Sequence, residues 1–445
     1  ALQGSLSNFA GGVLILLFLL HFAAGWRIAE TKPSFFYHND GSEYAEMAES
    51  FALTGSMMIA KPRYYEPPRS EPMPEAFRPP LLSFLAGLFL RAGLTPSVSY
   101  ALLQALLSTL ASWMMFAVAR RVEPSRVTSW LALILYNIHP LILEYSLQFC
   151  SETLFILCVL CFLRVFLEPE ENRLKYPLLA AAGALMTLTR PTGLAYLPGG
   201  MAVILLYSAY LMWRKGGSRS VFRFRTCRNA AVYGLCFFLL ILPCGLRNQA
   251  LFGKFSLSPF FGGYTLLVGN NRDNLAAYRA GSGKAFQEHQ NRGWNAAIQI
   301  AQTMPPEYSA KPAEQDAYLK AKALEEIRTM GMRDFLELFF AKALQFVCPW
   351  PVRGIHSPLM FWGITLWELF LYAVGSAGIY RFRRRLDILL PFATVFAGGL
   401  FAHALVFVSM RYRIPFLDVA LILFSATAIR AVFVLLLKKW KGVWR

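Results

Sequence analysis

The sequence predicts an all-α polytopic membrane protein, a bundle of about ten transmembrane helices with interfacial helices on its outer-face loops. Composition is the first observation, because 56% of the 445 residues are hydrophobic and only 16% are charged. Soluble chains carry about 25% charged residues, so this composition indicates a protein in lipid. It also excludes a disordered chain, a fibrous repeat and a small disulfide scaffold. The seven cysteines show no disulfide or zinc spacing.

The second observation is a series of apolar segments long enough to cross a bilayer. A spanning helix needs about 20 mostly apolar residues. Read in this way, the chain gives about ten spans, at 8–26, 97–118, 127–142, 151–167, 176–190, 192–212, 229–246, 357–380, 387–408 and 414–437. The fifth and sixth are separated only by a Thr-Arg-Pro-Thr-Gly break, where proline interrupts the helical hydrogen bonds.

The third observation is the distribution of positive charge. The chain has 44 Lys and Arg against 26 Asp and Glu, a net charge of +18. Basic residues cluster at 120–126, 164–175, 214–228, 381–385 and 438–445. In the ten-span arrangement these clusters share one side, which the positive-inside rule assigns to the cytoplasm together with both termini. Arg27 and Lys32 disagree with this orientation, but the later loops outweigh them. The charge therefore predicts topology beside anionic lipid and gives no reason to expect nucleic acid.

Two long segments, 27–80 and 247–356, lie on the opposite, outer face in this arrangement. They divide the chain into an N-terminal transmembrane module with the first outer loop (1–246), an outer-face loop (247–356) and C-terminal transmembrane helices (357–445). Helical spacing predicts shorter helices within the two loops, at 42–53, 313–329 and 334–346. The last of these is too short and too charged to span, so we expect it to lie flat on the membrane.

Acidic side chains follow the first span in Tyr-His-Asn-Asp-Gly-Ser-Glu-Tyr, residues 37–44. Asp40 and Glu43 lie just outside the predicted membrane, and Tyr44 follows about one helical turn after Asp40. A carboxylate beside apolar walls can act as a general base or hold a cation. The alternative is helix capping, since an Asp before a helix with Glu three residues on forms a capping box. The local sequence leaves both interpretations open.

Four arginines stand near the outer ends of predicted spans: Arg78, Arg190, Arg411 and Arg413. Guanidinium groups bind phosphate in bidentate fashion, so these positions suit an anionic group at headgroup level. Arg78 could instead be an interfacial anchor, and Arg190 could extend to a lipid headgroup. Arg411 and Arg413 lie in the outer turn between the last two spans, where the positive-inside rule does not explain two cations.

Two further residues are candidates for the same outer cavity. Glu152 opens the fourth span in Ser-Glu-Thr, and His139 precedes a proline shortly before it. A single histidine is weak support for a metal, so no metal site is predicted. The acids and cations together suit a phosphate leaving group carried by a lipid and an acceptor that arrives from outside the cell.

The order of these motifs resembles a known superfamily. The motifs are Asp40 with Tyr44, Arg-Pro-Pro at 78–80, Ser-Glu-Thr-Leu-Phe at 151–155, Leu-Thr-Arg-Pro at 188–191, Gly-Asn-Asn at 269–271 and Arg-Tyr-Arg-Ile-Pro at 411–415. This set is similar to the GT-C superfamily of glycosyltransferases that use polyprenyl-phosphate-linked sugars. It most resembles the branch with protein O-mannosyltransferases and the lipid A aminoarabinose transferase. The resemblance covers most of the chain.

The resemblance implies transfer of a sugar, with inversion, from a polyprenyl phosphate to a hydroxyl acceptor on the outer face. It implies Asp40 as the general base. Whether Glu43 shares that role stays open, because Gly41 and not a second acid follows Asp40. The implied phosphate ligands are Arg78, Arg190, Arg411 and Arg413, and the implied cavity residues are Tyr44, His139, Glu152 and Asn270. Some relatives bind a divalent metal, but no cofactor is firmly predicted here.

We expect the chain to lie in a bacterial inner membrane, with the donor, the bilayer and a hydroxyl acceptor of unknown class (protein, lipid or glycan) as partners. A transporter or flippase of lipid-linked sugars is one alternative, although it would show paired repeats and charged residues at the midplane. A glycan polymerase or ligase is another, although its working loop usually lies later in the chain. A membrane protein that only binds or scaffolds is the third.

Overall fold

The computed structural model describes residues 2–38, 40–60, 62–63, 66, 70–169, 172–215, 219–309, 311–352 and 357–443. The N-terminal part contains α1 (Leu2–Thr31), α2 (Pro33–Phe36), α3 (Gly41–Thr54), α4 (Leu81–Arg91), α5 (Pro96–Val122), α6 (Arg126–Asn137), α7 (Pro140–Ser146), α8 (Glu152–Phe166), α9 (Lys175–Thr189), α10 (Tyr196–Lys215) and α11 (Arg219–Phe252). A 3₁₀ turn, Pro191–Ala195, joins α9 to α10. Strands β1 (Met58–Ile59) and β2 (Met73–Pro74) pair antiparallel, with Met58 opposite Pro74.

The C-terminal part is also helical. It contains α12 (Gly262–Gly269), α13 (Arg272–Ala280), α14 (Lys284–Gln302), α15 (Pro306–Ser309), α16 (Pro312–Met330), α17 (Met332–Val347), α18 (Pro358–Arg381), α19 (Leu386–Leu405), α20 (Met410–Arg413) and α21 (Val419–Val443). A π-helical turn, Ile414–Asp418, joins α20 to α21. The short helices predicted in the two long loops are confirmed as α3, α16 and α17.

Long apolar helices confirm a multi-pass membrane protein. Within the described residues, seven helical segments are long and apolar enough to span: Ala10–Thr31, Pro96–Val122, Pro191–Tyr210, Arg225–Phe252, Pro358–Arg381, Leu386–Leu405 and Met410–Lys438. Each corresponds to one predicted span.

The other three predicted spans are shorter or bent. Helices α6 and α7 meet at an angle of 65°, because Pro140 begins a new helix and cannot continue the old one. Helices α8 and α9 have 15 residues each, so each is about 22 Å long, less than the hydrocarbon thickness of about 30 Å. The total of ten spans therefore stays a prediction.

Ion pairs join the helices at one end of the bundle. Glu123, directly after α5, contacts Arg381 of α18 (2.8 Å) and Arg430 of α21 (2.5 Å). Glu168, just after α8, contacts Arg121 of α5 at 2.8 Å. Arg121 and Arg381, from two of the predicted basic clusters, therefore meet at one end of the bundle, which we call the Glu123 end.

The first loop packs at the opposite end of α5. Tyr100, in the second turn of α5, is buried and donates a hydrogen bond to the carbonyl of Ala45 in α3 (3.3 Å). Its ring stacks on Phe149, with the two centroids 4.2 Å apart. These contacts hold α3 against the bundle and place the acidic motif about one helix length from the Glu123 end.

Helices α12, α14 and α16 build a second apolar core beside the bundle, and α13 and α17 share a smaller one with the end of α16. Side chains such as Phe260, Leu267 and Ala297 are buried in the larger of these two cores. Helix α17 also carries an exposed apolar stripe at every fourth residue: Met332, Leu336, Phe340 and Leu344. An amphipathic helix with such a face suits the membrane interface, as predicted for this segment. The division of the chain at residues 246 and 356 stays a prediction.

Candidate active site

Asp40 precedes α3 directly, yet its carboxylate does not cap that helix. Its backbone carbonyl accepts the N–H of Tyr44 (3.1 Å), while the side chain turns away. Oδ1 lies 3.0 Å from Nη2 of Arg78, and Oδ2 lies 3.2 Å from Nη2 of Arg411. The capping interpretation is therefore wrong, and the structure brings Asp40 together with two of the predicted arginines.

The two arginines control the charge of Asp40. Burial favours the neutral acid, but Arg78 and Arg411, with Arg190 nearby, outweigh burial and hold the pKa of the Asp40 carboxyl well below its usual range. Tyr44 is buried beside it, and burial raises the pKa of that phenol. At neutral pH Asp40 is therefore an anion and Tyr44 a neutral hydroxyl. While both arginines contact it, Asp40 is a weak base.

Arg190 occupies the break between α9 and the 3₁₀ turn that follows. Because Pro191 cannot continue the helix, Arg190 has an extended backbone (φ −147°, ψ 138°). Its Nη1 lies 3.1 Å from Oε1 of Glu152, and Nε of Arg411 lies 3.5 Å from the same oxygen. The ring of Tyr412 packs against both guanidinium groups, 4.7 Å from that of Arg190 and 4.9 Å from that of Arg411.

Glu43 continues this series of ion pairs outward from Asp40. Its Oε2 lies 2.5 Å from Nε of Arg78 and 3.0 Å from Nε of Arg63. Arg63 in turn contacts Glu75, after β2. Acids and arginines thus alternate in one series of ion pairs, which runs Glu75, Arg63, Glu43, Arg78, Asp40, Arg411 and Glu152. Glu43 contacts Nε of Arg78, whereas Asp40 contacts Nη2 of the same arginine. The position of Glu43 is therefore better suited to orienting Arg78 than to transferring a proton.

A cavity of about 380 Å³ opens beside Asp40. Of the sequence candidates, Asp40, Tyr44, Arg78, Arg190 and Arg411 line it. Glu43 and Glu152 stand behind these arginines as ion-pair partners. The cavity therefore combines one carboxylate with three guanidinium groups, which is the charge pattern predicted for an anionic leaving group.

The cavity also has an aromatic wall, which the sequence did not predict. This wall is formed by Phe261, Tyr264, Trp294 and Phe407. Trp294 stands edge-on to Phe407 at 5.7 Å and to Tyr264 at 6.4 Å. These residues come from α12, α14 and the segment after α19, and no local pattern relates them. Only the packing of the α12–α17 unit on the bundle brings them together.

Arg413 was predicted as a phosphate ligand, and the structure places it elsewhere. Its side chain is fully buried, with Nη2 2.7 Å from Glu368 and Nε 3.1 Å from Asp418. Its Nη1 donates to the carbonyl of Cys348. Successive helical residues are about 100° apart, so residues separated by two positions point to nearly opposite sides. Arg411 therefore faces the cavity, and Arg413 faces the interior of the bundle.

His139 also lies outside the cavity, contrary to the prediction. It is buried at the start of α7, where its Nδ1 accepts the N–H of Ile142 (3.4 Å). Nε2 faces Glu368 at 3.4 Å and Asp418 at 3.8 Å, a grouping compact enough for a metal ion. A histidine that binds metal through Nε2 must keep its proton on Nδ1, but Nδ1 is the acceptor here. With this tautomer Nε2 carries the proton and faces two carboxylates that already pair with Arg413, so metal binding here would require the other tautomer.

Asn270, another predicted cavity residue, is buried behind the wall. Its Nδ2 donates to the carbonyl of Leu405 (2.9 Å), and its Oδ1 accepts from Nζ of Lys342 (2.8 Å). Lys342 also donates to the carbonyls of Gly269 and Val406, both at 3.2 Å. A Cβ at Gly269 would lie 1.5 Å from the Val406 oxygen, so only glycine permits this approach. We call these contacts the Lys342 clasp, which ties α12 and α17 to the segment after α19.

The fold and the site together describe a helical membrane protein with a cavity lined by one carboxylate and three arginines at one end of its bundle. Comparison with solved structures gives the archaeal oligosaccharyltransferase AglB from Archaeoglobus fulgidus, in complex with an inhibitory peptide and a dolichol-phosphate. The TM-score is 0.54 at 14% identity, over 98% of this chain and 52% of that one. The same organism's oligosaccharyltransferase tethered with an acceptor peptide also scores 0.54, at 15% identity, over 96% and 50% of the two chains. The GT-C-like fold is confirmed, over about half the length of these structures.

A protein-family model also matches part of this sequence. The model for dolichyl-phosphate-mannose-protein mannosyltransferases matches residues 77–243, less than half of the chain. The matched region includes Arg78, Glu152 and Arg190. ArnT from Cupriavidus metallidurans in the apo state is a further structural match, with a TM-score of 0.38 at 16% identity over 96% of this chain and 78% of that one, a score too low to support an argument. A comparison with curated proteins found no match.

Proposed function

We propose that this protein is an inverting membrane glycosyltransferase that moves a sugar from a polyprenyl-phosphate donor to a hydroxyl acceptor. One observation carries the proposal: a carboxylate held between two arginines, with a third arginine in the same cavity. A sugar linked to phosphate needs a base for the acceptor and cations for the departing phosphate. The neighbours with dolichol-phosphate and acceptor peptide have the same fold, which supports this choice.

Arg78, Arg190 and Arg411 hold the donor phosphate in this proposal. Each already contacts a carboxylate, so the cavity has no large excess of uncompensated charge before the donor binds. The phosphate replaces carboxylate oxygens as partner of these groups. As the sugar–phosphate bond breaks, negative charge grows on the phosphate, and fixed cations stabilise that charge without reorganising solvent.

Asp40 takes the acceptor proton. The acceptor oxygen attacks the anomeric carbon, the bond from that carbon to the phosphate oxygen breaks, and the hydroxyl proton moves to the Asp40 carboxylate. Asp40 is a weak base while Arg78 and Arg411 contact it. Because the donor phosphate competes for both arginines, its arrival raises the proton affinity of Asp40. The base therefore becomes effective only in the presence of the donor.

The remaining assignments follow from topology. If the basic clusters at the Glu123 end face the cytoplasm, the cavity opens on the outer face of a bacterial inner membrane. The acceptor is then a hydroxyl of a protein, lipid or glycan outside the cytoplasm. The cavity lies at one end of the bundle and not at the midplane, which favours transfer over transport of lipid-linked sugars.

The proposal is tested by turnover of purified protein with a panel of polyprenyl-phosphate sugars. We expect Asp40→Asn to lower the transfer rate by at least about 100-fold, the usual contribution of a general base, while donor binding persists. The matched control is Glu168→Gln, which removes a carboxylate paired with arginine at the other end of the bundle. Full transfer by Asp40→Asn would remove Asp40 from the mechanism. A wild-type protein inactive with every donor would overturn the proposed function.

A further inference from the structure

A fully buried group of charged residues lies next to the cavity, and the proposed chemistry does not use it. We call it the Arg413 cluster: His139, Glu368, Arg413 and Asp418, each with no exposed surface. These residues come from α7, α18, α20 and the π-helical turn. Burial of several charges costs free energy unless they are paired, so each member of such a group depends strongly on its partners.

Each of the three nitrogens of the Arg413 guanidinium lies close to an oxygen of another residue. One nitrogen contacts Glu368 at 2.7 Å, another contacts Asp418 at 3.1 Å, and the third donates to the carbonyl of Cys348. A planar group with fixed donors sets an orientation as well as a distance. Arg413 thereby fixes its own backbone relative to α18, to the π-helical turn and to the segment after α17.

Arg411 belongs to the same four-residue helix, α20, and its side chain leaves from the opposite side. A four-residue helix has little stability of its own. It is followed by a π-helical turn that contains Pro415, which has no N–H to donate. Turns of this kind are frequent at functional sites and depend on their surroundings. The position of Arg411 therefore depends on what holds α20.

We propose that Arg413 is a positioning residue, whose ion pairs with Glu368 and Asp418 hold α20 so that Arg411 reaches Asp40 and Glu152. The assignment of Arg411 as a phosphate ligand rests on the proposed function. The positioning itself does not, because the contacts of Arg411 with Asp40 at 3.2 Å and with Glu152 at 3.5 Å belong to the protein alone.

The test variant is Arg413→Lys, which keeps the buried charge but loses the planar fork. A lysine ammonium cannot donate hydrogen bonds to Glu368, Asp418 and the Cys348 carbonyl in the geometry that the guanidinium provides. Glu368→Gln is the second variant, because it retains the arginine and one of its carboxylate partners. The control is Glu123→Gln, which removes a carboxylate from two arginines at the other end of the bundle. All three variants change buried or partly buried ion pairs, but only the first two involve α20.

The primary readout is the ionisation of Asp40, measured by infrared difference spectroscopy of each protein against its Asp40→Asn counterpart. Asp40 faces Arg78 and Arg411, with Arg190 and Tyr44 beyond. If α20 shifts, Asp40 loses one arginine and takes up its proton at a pH about one unit higher or more. We expect this shift in Arg413→Lys and a smaller one in Glu368→Gln, with none in Glu123→Gln.

The second readout is the donor KM, which we expect to rise at least about 10-fold in Arg413→Lys, the loss of one charged hydrogen bond. An unshifted Asp40 titration in a folded Arg413→Lys protein would overturn the positioning role. If that variant does not fold, an unshifted titration in Glu368→Gln would overturn it. A wild-type protein without transfer activity would overturn the proposed function but leave the titration result valid.

Discussion

Asp40 forms ion pairs with two arginines, Arg78 and Arg411. In the proposed reaction the same arginines bind the donor phosphate. In the free protein, Arg78 and Arg411 keep the carboxylate ionised and weakly basic. A donor phosphate that takes over these arginines activates Asp40 at the same time. Donor binding and activation of the base are then one event, so the acceptor is not deprotonated before a sugar is present.

The arginines of the cavity provide a direct prediction at this scale. We expect Arg78→Ala and Arg190→Ala each to weaken binding of a polyprenyl phosphate by about 10- to 100-fold, because a charged hydrogen bond contributes about 1.5–3 kcal/mol. Acceptor binding should change less. Affinity is measured with purified protein by calorimetry. Arg279→Ala is the control, since that arginine forms exposed ion pairs with Asp334 and Glu337 outside the cavity. Normal donor affinity in both cavity variants would refute the phosphate assignment.

For Arg411 and Arg413, the sequence could not predict which of the two side chains faces the cavity. Both looked like phosphate ligands, because both are cations at the outer end of a span. Helical periodicity sends them to opposite sides of α20, but the sequence does not show which side faces the cavity. That choice depends on Glu368 and Asp418, which accept Arg413 inside the bundle. Glu368 lies on a different helix, α18, so its pairing with Arg413 is not visible without the fold.

At the scale of elements, the Lys342 clasp joins the α12–α17 unit to the bundle. Lys342 is buried, and burial lowers the pKa of its ammonium group to about 7. Its three acceptors are the Gly269 and Val406 carbonyls and the side chain of Asn270. The segment held by this clasp leads to Phe407 and then to Arg411. The clasp therefore links the aromatic wall of the cavity to its charged wall.

The clasp makes a prediction about stability and pH. Between pH 7 and about 10.4, the ordinary lysine pKa, the unfolded chain holds a proton on Lys342 that the folded protein has released, and the neutral amine then donates to two of the three acceptors. Stability should then rise with pH in this window, by at most about 1.4 kcal/mol per pH unit. Lys342→Met removes this contribution. Thermal unfolding in detergent at several pH values measures the difference between wild type and variant. A difference that does not change from pH 7 to pH 10 would contradict the assignment.

At the scale of the whole molecule, charge and chemistry occupy opposite ends of the bundle. The Glu123 end carries clustered basic residues, whereas the other end carries the cavity. The placement of these ends relative to the membrane follows from the positive-inside rule. This part of the proposal is tested without any substrate.

Cysteine labelling decides the orientation. Lys284 and Asn172 are both exposed, the first in the long 247–356 segment and the second between α8 and α9. In a Cys227→Ser background, which removes an exposed native thiol, we expect Lys284→Cys to react with a membrane-impermeant maleimide in intact spheroplasts. Asn172→Cys should react only after the membrane is permeabilised. The reverse pattern would place the cavity on the cytoplasmic face.

Much of the architecture was determined by local sequence. Apolar runs of about 20 residues must enter lipid, so composition and spacing predicted the seven long spans and the amphipathic α17. The order of Asp40, Arg78, Glu152 and Arg190 indicated a charged site through its resemblance to a known superfamily, and an ionisable residue at the end of a span also needs a partner. Neither inference requires knowledge of which helices are neighbours.

The tertiary structure alone decided which of these groups meet. It decided between the two interpretations of Asp40 by pairing its carboxylate with two arginines, and it moved His139 and Arg413 from the cavity into a buried cluster. It also assembled the aromatic wall from Phe261, Trp294 and Phe407. The physical reason is that ion pairs and ring contacts act over a few ångströms between residues tens to hundreds of positions apart. Local sequence shows that a charge needs a partner, but packing determines which partner it finds.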